Sequence, residues 1–178
     1  FQAHTAGINR VLPSLIEAAI DVASKKLGSE VGVIVKNDVS HRKLEGVSVD
    51  EPDVVVQIEG VNYKNTQILT RSPTKTPTVF TVDLVTGQKT GFFLDQSENV
   101  ASLVGYLNQS TLPKTVRILD LCSYVGQWGT KVAQALKERG VSSEVTFFDA
   151  SDTALKLAKQ NGESVGAKIK TVKGDLLE

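Results

Sequence analysis

Residues 118–129, ILDLCSYVGQWG, place a carboxylate, a thiol, a hydroxyl and two aromatic rings on one short stretch that closes in Gly-x-x-Gly. An apolar run that delivers Asp120 and then a glycine-bearing turn reads as a strand-to-helix junction at the carboxyl edge of an open α/β sheet, where ligands bind. A dinucleotide would want glycine at the first position of G-x-G-x-x-G, so that backbone amides can close on a pyrophosphate; Tyr124 stands there instead. S-adenosyl-L-methionine has no pyrophosphate. It offers a cationic amino group, a carboxylate and a sulfonium, which suit an acidic residue and a turn with fewer glycines. Asp120 supplies that charge, with Ser123, Tyr124 and Gly126 shaping the turn. Asp149, 20 residues after Gly129 and followed by Ala150, ends a second apolar run at the spacing expected of a carboxylate that accepts hydrogen bonds from ribose hydroxyls. A third run leads to Gly174 and Asp175, where a short polar side chain can meet the adenine amine.

Each carboxylate also has a plainer role, as a cap on the helix that follows it. Two of them flanking one Gly-x-x-Gly turn favour the nucleoside-containing cofactor. Cys122, the only cysteine, has no histidine near it in sequence and reads as a small packing residue rather than a nucleophile. Trp128 reads as facing the core at the start of its helix. His4 and His41 are the only histidines, so no metal site is expected.

The elements that must position these residues follow from periodicity. From Leu12 to Leu27 apolar residues recur at helical spacing, with Pro13 near the start and Gly28 as the stop. Residues 31–36 and 54–59 read as strands, and a hairpin around 59–65 would return through 66–70. The proline-punctuated stretch 72–77 sets the domain boundary. Beyond it, 79–85 and 90–94 read as a second hairpin turning at Gly87, and a helix carrying Val100, Leu103, Val104 and Leu107 starts at Asp95 or Ser97. Then strands at 116–121, 144–148 and 167–173 alternate with helices at 126–139 and 153–160, the second stopped near Gly162. The expected architecture is α/β: a small α+β domain with a β-hairpin over residues 1–77, then a partial Rossmann-like parallel sheet over 78–178.

Composition narrows the classes. At 178 residues, 40% hydrophobic and 22% charged, the chain has the make-up of an ordinary globular protein. It shows no membrane span and no signal peptide, and a cytoplasmic location is the simplest expectation. Its 20 basic and 20 acidic residues leave no electrostatic footprint for nucleic acid as a whole. Two adjacent cations, Arg42 and Lys43, are the local candidates for phosphate contacts, against a solvated loop as the alternative. The chain begins at Phe1 and contains no methionine, so a fragment is expected.

GQKTGFFLDQ at residues 87–96, ILDLCSYVGQWG, FFDASDTALKLAKQN at 147–161 and HRKLEGV at 41–47 together resemble the ribosomal RNA large subunit methyltransferase I family, whose members make 5-methylcytosine. The resemblance implies an S-adenosylmethionine-dependent enzyme acting on RNA, with residues 1–77 an RNA-facing central domain. It also implies that Lys89, Thr90, Phe92, Asp95 and Gln96 line the cofactor site. Members of the family carry an RNA-binding PUA domain and a catalytic cysteine that would fall before residue 1 and after residue 178. Cys122 is not at the nucleophile's position, so no catalytic residue is expected here. Ser97 stands where the family has arginine, and Val125, Gln127 and Trp128 stand where it has Thr, Gly and Phe. A methyltransferase on another substrate and a degenerate binding module stay open as alternatives. A parallel sheet of only three βα strands leaves an apolar edge, which a missing carboxyl-terminal half or a second chain would cover.

Overall fold

In the computed structural model, which describes residues 1–71, 74–88 and 91–176, the chain divides into two units. One comprises residues 1–64 with 83–86, the other 65–82 with 87–178. The dividing point expected at residue 77 falls between two paired strands of the second unit, and the units divide at residue 64 instead.

In the first unit, Thr5 caps helix α1, Ala6–Leu27, by accepting the Ile8 backbone N–H, and Gly28 closes it in the left-handed conformation. Pro13 lies inside this helix, which the Thr5 cap starts earlier than periodicity implied. Strands β1, Val33–Val35, and β2, Asp53–Val56, pair antiparallel, and Leu12, Val35 and Ala3 bury between helix and strands with Ile16 against them. The amino terminus runs along β1: the Phe1 ammonium donates to Ile34 O at 2.7 Å and Lys36 N–H to Phe1 O at 2.8 Å.

The second unit begins with strands β3, Thr66–Thr70, and β4, Thr78–Val82, paired antiparallel from Thr66↔Val82 to Thr70↔Thr78. Among the described residues neither expected hairpin forms. β2 pairs with β1, and Tyr63 ties down the segment after it, accepting the Ile58 N–H on its hydroxyl and the Leu84 N–H on its carbonyl. β4 pairs backward with β3, while residues 91–93 bend and Leu94–Gln96 form a 3-10 turn. Helix α2, Ser97–Gln109, follows that turn directly, with Gln96 before it making no side-chain cap, so neither Asp95 nor Ser97 caps it.

Strands β5, Thr115–Leu121, β6, Ser142–Asp149, and β7, Lys168–Lys173, form a parallel sheet in the order β5-β6-β7. Helices α3, Gln127–Glu138, and α4, Asp152–Ser164, connect them. Both bury on the sheet face that carries Val145 and Phe147, against Ala133, Leu155 and Ala158. The hairpin β3–β4 is fixed to these helices by side chains. Glu138 accepts the N–H groups of Lys75 and Thr76 at 2.9 and 3.0 Å, Lys131 donates to Thr70 O at 3.0 Å, and Gln134 bonds Thr76 and Thr78. α3 is therefore enclosed along most of its length. Gly162 does not stop α4 but lies inside it, and the position favours glycine because an added Cβ would come within 2.5 Å of Ile169 and 3.0 Å of Phe147.

Candidate cofactor site

The carboxyl ends of the three strands meet in one place. β5 passes from Asp120 into a turn in which Cys122, Tyr124 and Gly126 all take positive φ, at 52°, 48° and 76°. Two non-glycine residues in the left-handed region store strain, which the surrounding structure must hold in place. Gly126 is needed for its conformation and for space, since a Cβ there would lie 2.9 Å from the Phe147 ring. Backbone bonds stitch the strand ends together: Ser123 N–H to Phe148 O at 3.0 Å, Gly126 N–H to Ser123 O at 2.7 Å, and Gly174 N–H to Asp149 O at 3.2 Å.

Asp120 is buried and accepts the Gly129 N–H, in the first turn of α3, at 2.8 Å. Gly129 permits this close approach, because a Cβ would stand 2.7 Å from Phe147 and 3.1 Å from the Asp120 carboxylate. Burial pushes the Asp120 carboxyl up to about 6, with Asp149 raising it further and the Gly129 hydrogen bond opposing. A buried carboxylate beside a second one disfavours its own charge, and a cation is the species that would relieve it. Asp149 takes the Tyr124 N–H at 2.8 Å on one oxygen and the Ser151 N–H at 2.9 Å on the other. Both aspartates thus do act on the helix starts, as the plainer reading had it. Each carboxylate oxygen that accepts one amide still has lone-pair capacity for a ligand. Ser123 Oγ is buried with no hydrogen-bond partner, an orphaned polar atom in the turn.

The residues named from the sequence are distributed unevenly. Asp120, Ser123, Tyr124, Gly126, Asp149 and Ala150 share this edge, and Asp175 follows Gly174 beside it with its side chain exposed. Phe92 turns inward onto Phe80, ring centroids 5.2 Å apart, and is buried. Its neighbour Phe93 meets Tyr124, edge to face with ring centroids 5.3 Å apart. Asp95 is exposed and Gln96 half-buried in the 3-10 turn behind Phe93. Lys89 and Thr90 lie outside the described residues. Cys122 is exposed rather than packed, on backbone in the left-handed region. Trp128 is half-buried beside Leu103, Leu119 and Leu121.

Arg42 corrects a sequence expectation. It is fully buried in the first unit, bonded to Ala3 O, to Ser48 O at 2.6 Å and to Asn9 Oδ1 at 3.0 Å, so its guanidinium holds the loop and does not face a phosphate. Lys43 is exposed. Among the described residues no group of three potential metal ligands exists, and no helix is long and apolar enough to cross a membrane.

Sequence reasoning missed Asn161. It falls on the buried face of α4 with Ala154, Leu155 and Ala158, and a polar residue at a core position of an amphipathic helix was the signal available.

No protein-family model matches the chain. Over 150 residues it is 32% identical to ribosomal RNA large subunit methyltransferase I of Aeromonas salmonicida, an alignment covering 84% of the chain and 33% of that protein. It is 37% identical over 102 residues to the ribosomal RNA large subunit methyltransferase of Deinococcus radiodurans, covering 56% of the chain and 22% of that protein. Among solved structures, P. horikoshii TYW2 in complex with MeSAdo matches over 88% of the chain and 46% of its own length, with a TM-score of 0.52 at 11% identity. That likeness is one of fold, and with the three-stranded parallel sheet it defines a partial Rossmann-like methyltransferase fold. More particularly, the chain is a relative of the ribosomal RNA large subunit methyltransferase I proteins, and it spans about a third of their length. The resemblance carried by GQKTGFFLDQ and the Asp120 turn holds.

Proposed function

We propose that the second unit is the cofactor-binding part of an S-adenosylmethionine-dependent methyltransferase, and that the whole protein methylates ribosomal RNA at cytosine carbon 5. The observation that carries this reading is Asp120: a buried carboxylate, raised to about 6, placed next to Asp149 at the carboxyl end of the central strands. A helix cap alone does not offset the burial of that carboxylate, whereas a cationic amino group would offset both the burial and the smaller repulsion from Asp149.

The residues present fit the cofactor. Asp120 would meet the amino group, Ser123 Oγ would gain the hydrogen bond it lacks, and Asp149 would accept ribose hydroxyls while still holding its two amides. When bound, the cofactor supplies its sulfonium methyl as the electrophile. Carbon-5 methylation also needs a thiolate that adds to carbon 6 and makes carbon 5 nucleophilic. Cys122 is the only cysteine and sits inside the cofactor turn, so we assign the thiolate to the remainder of a protein as long as its relatives. RNA contact within these residues rests on Lys43, now without Arg42.

On β5, which among the described residues pairs on one side only, Leu119 and Leu121 are 63% and 48% exposed. We assign that edge to the rest of the longer protein, with a second copy as the alternative. Sedimentation showing a stable dimer of this chain would favour the copy.

The deciding experiment is calorimetric titration of S-adenosylhomocysteine into the chain and its Asp120→Asn variant. Asparagine keeps an oxygen for the Gly129 N–H and loses only the charge. The expected result is wild-type binding that weakens about tenfold or more in the variant, the scale of one charge-assisted bond. Absence of wild-type binding at millimolar ligand, or equal affinity in both, would overturn the assignment.

A further inference from the structure

We propose that Asn161 is a positioning residue that fixes the cofactor turn in its binding shape, an inference that rests on the cofactor reading above. Asn161 is 1% exposed, and its side-chain amide is fully engaged. Its Oδ1 accepts the Thr81 N–H at 2.8 Å, and its Nδ2 donates to Thr81 O at 3.1 Å and to Val125 O at 2.9 Å. Toward β4 the amide stands where a neighbouring strand's peptide would, satisfying both backbone groups of one residue.

Its third bond reaches the cofactor turn. The Val125 carbonyl and the Gly126 N–H belong to one peptide plane. Gly126 N–H donates to Ser123 O at 2.7 Å, and Val125 O accepts from Asn161. That plane is therefore held at both ends. Gly126 takes φ 76°, and glycine populates negative φ as readily, so the residue itself does not select this state. Asn161 does. If the carbonyl loses its donor, the 125–126 peptide is free to rotate, the Ser123–Gly126 bond loosens, and the strained Tyr124 loses the frame that holds it. The cofactor turn, α4 and the hairpin β3–β4 all converge on this one amide.

Asn161→Asp is the informative substitution, because aspartate keeps the size and the acceptor for Thr81 N–H but can donate neither to Val125 O nor to Thr81 O. Glu138→Gln is the control: it weakens the anchor of the hairpin loop at Lys75 and Thr76 and touches nothing in the turn. Two measurements on the full chain by nuclear magnetic resonance keep this inference separable from the cofactor reading. The first needs no ligand: amide exchange at Gly126 should accelerate about tenfold or more in Asn161→Asp, as expected for losing a buried hydrogen bond, and stay unchanged in Glu138→Gln. The second is titration with S-adenosylhomocysteine, whose affinity should fall about tenfold in Asn161→Asp and stay within about twofold in the control. Unchanged Gly126 exchange in a folded Asn161→Asp chain overturns the positioning role, whatever the ligand does. If wild type binds and Asn161→Asp binds equally, the role also fails. Wild type that fails to bind while Gly126 exchange accelerates sinks the cofactor reading and leaves Asn161 holding the turn. Should Asn161→Asp not fold, Asn161→Ala, which removes the donor to Val125 O without adding a charge, carries the same comparison.

Discussion

Asp149, the last residue of β6, reaches across to the turn after β5 and accepts the Tyr124 backbone N–H at 2.8 Å, while its other oxygen takes the Ser151 N–H at 2.9 Å. One carboxylate thus steadies a left-handed tyrosine on one strand-to-helix junction and opens the next, where Ser151 caps α4. The two junctions that would hold the two ends of a nucleoside cofactor are not independent.

Asp149→Ala should therefore lower the free energy of unfolding by about 1 to 2 kcal/mol, since the part-buried Tyr124 amide and the exposed Ser151 amide lose their acceptor at once. Asp149→Asn, which retains one oxygen acceptor, should recover about half of that. Urea denaturation measures both, and an alanine variant as stable as wild type would contradict the geometry.

The raised Asp120 carboxyl makes stability depend on pH in a known direction. Its folded value of about 6 lies above its ordinary 3.8, so the folded state holds the proton more tightly than the unfolded chain. Stability from this group is fully present below pH 3.8 and is lost as pH rises through about 6. At about 1.4 kcal/mol per pH unit over roughly two units, the loss is about 3 kcal/mol. The Asp120→Asn variant should accordingly match wild type near pH 4 and exceed it by up to about 3 kcal/mol at neutral pH. Cofactor affinity should run the opposite way, falling in wild type as pH drops below about 6 and the charge disappears. Denaturation and titration across this pH window check the two signs.

At Gly162, helix propensity and packing pull apart. Alanine is the better helix former by about 1 kcal/mol. Its Cβ would meet Ile169 and Phe147 at 2.5 and 3.0 Å, and overpacking of a filled core costs about 1 to 3 kcal/mol. Gly162→Ala should melt at lower temperature than wild type; a rise would mean that Ile169 gives way freely.

Arg42 and Lys43 are neighbours in sequence with opposite expected behaviour. Arg42→Ala strands the buried Ala3 carbonyl, removes the bonds to Ser48 O and Asn9 Oδ1 and empties a fully buried site, and should destabilise the first unit by about 3 kcal/mol or more. Lys43→Ala should change stability by less than about 0.5 kcal/mol. If Lys43 meets a phosphate, its removal should reduce the salt slope of RNA binding by about 1.

Much of the second unit was legible before the structure. The three strands and two helices after residue 115 follow from apolar runs alternating with helical periodicity, and Asp120 and Asp149 fall at strand ends as their spacing requires. Strand partners ahead of them were not legible. The expected hairpins took the wrong partners: β2 pairs with β1 and β4 with β3, and the Ile58 N–H that a strand over 54–59 would have offered goes to the Tyr63 hydroxyl. The same limit applied at Arg42, where a cation beside a turn reads as surface until its three acceptors, distant in sequence or across the loop, are known.

The sequence by itself determined the class of this protein: the order of its elements, the carboxylate at each of two strand ends, and the strings that mark its relatives, all of which depend on local pattern. Only the tertiary structure decided that Asp120 is a strained charge, that Phe93 and not Phe92 meets the turn, and that Asn161 joins the hairpin to Val125. Burial, electrostatic repulsion and side-chain hydrogen bonding act between residues far apart in the chain, as in the 80-residue separation of Thr81 and Asn161, and no local pattern encodes them.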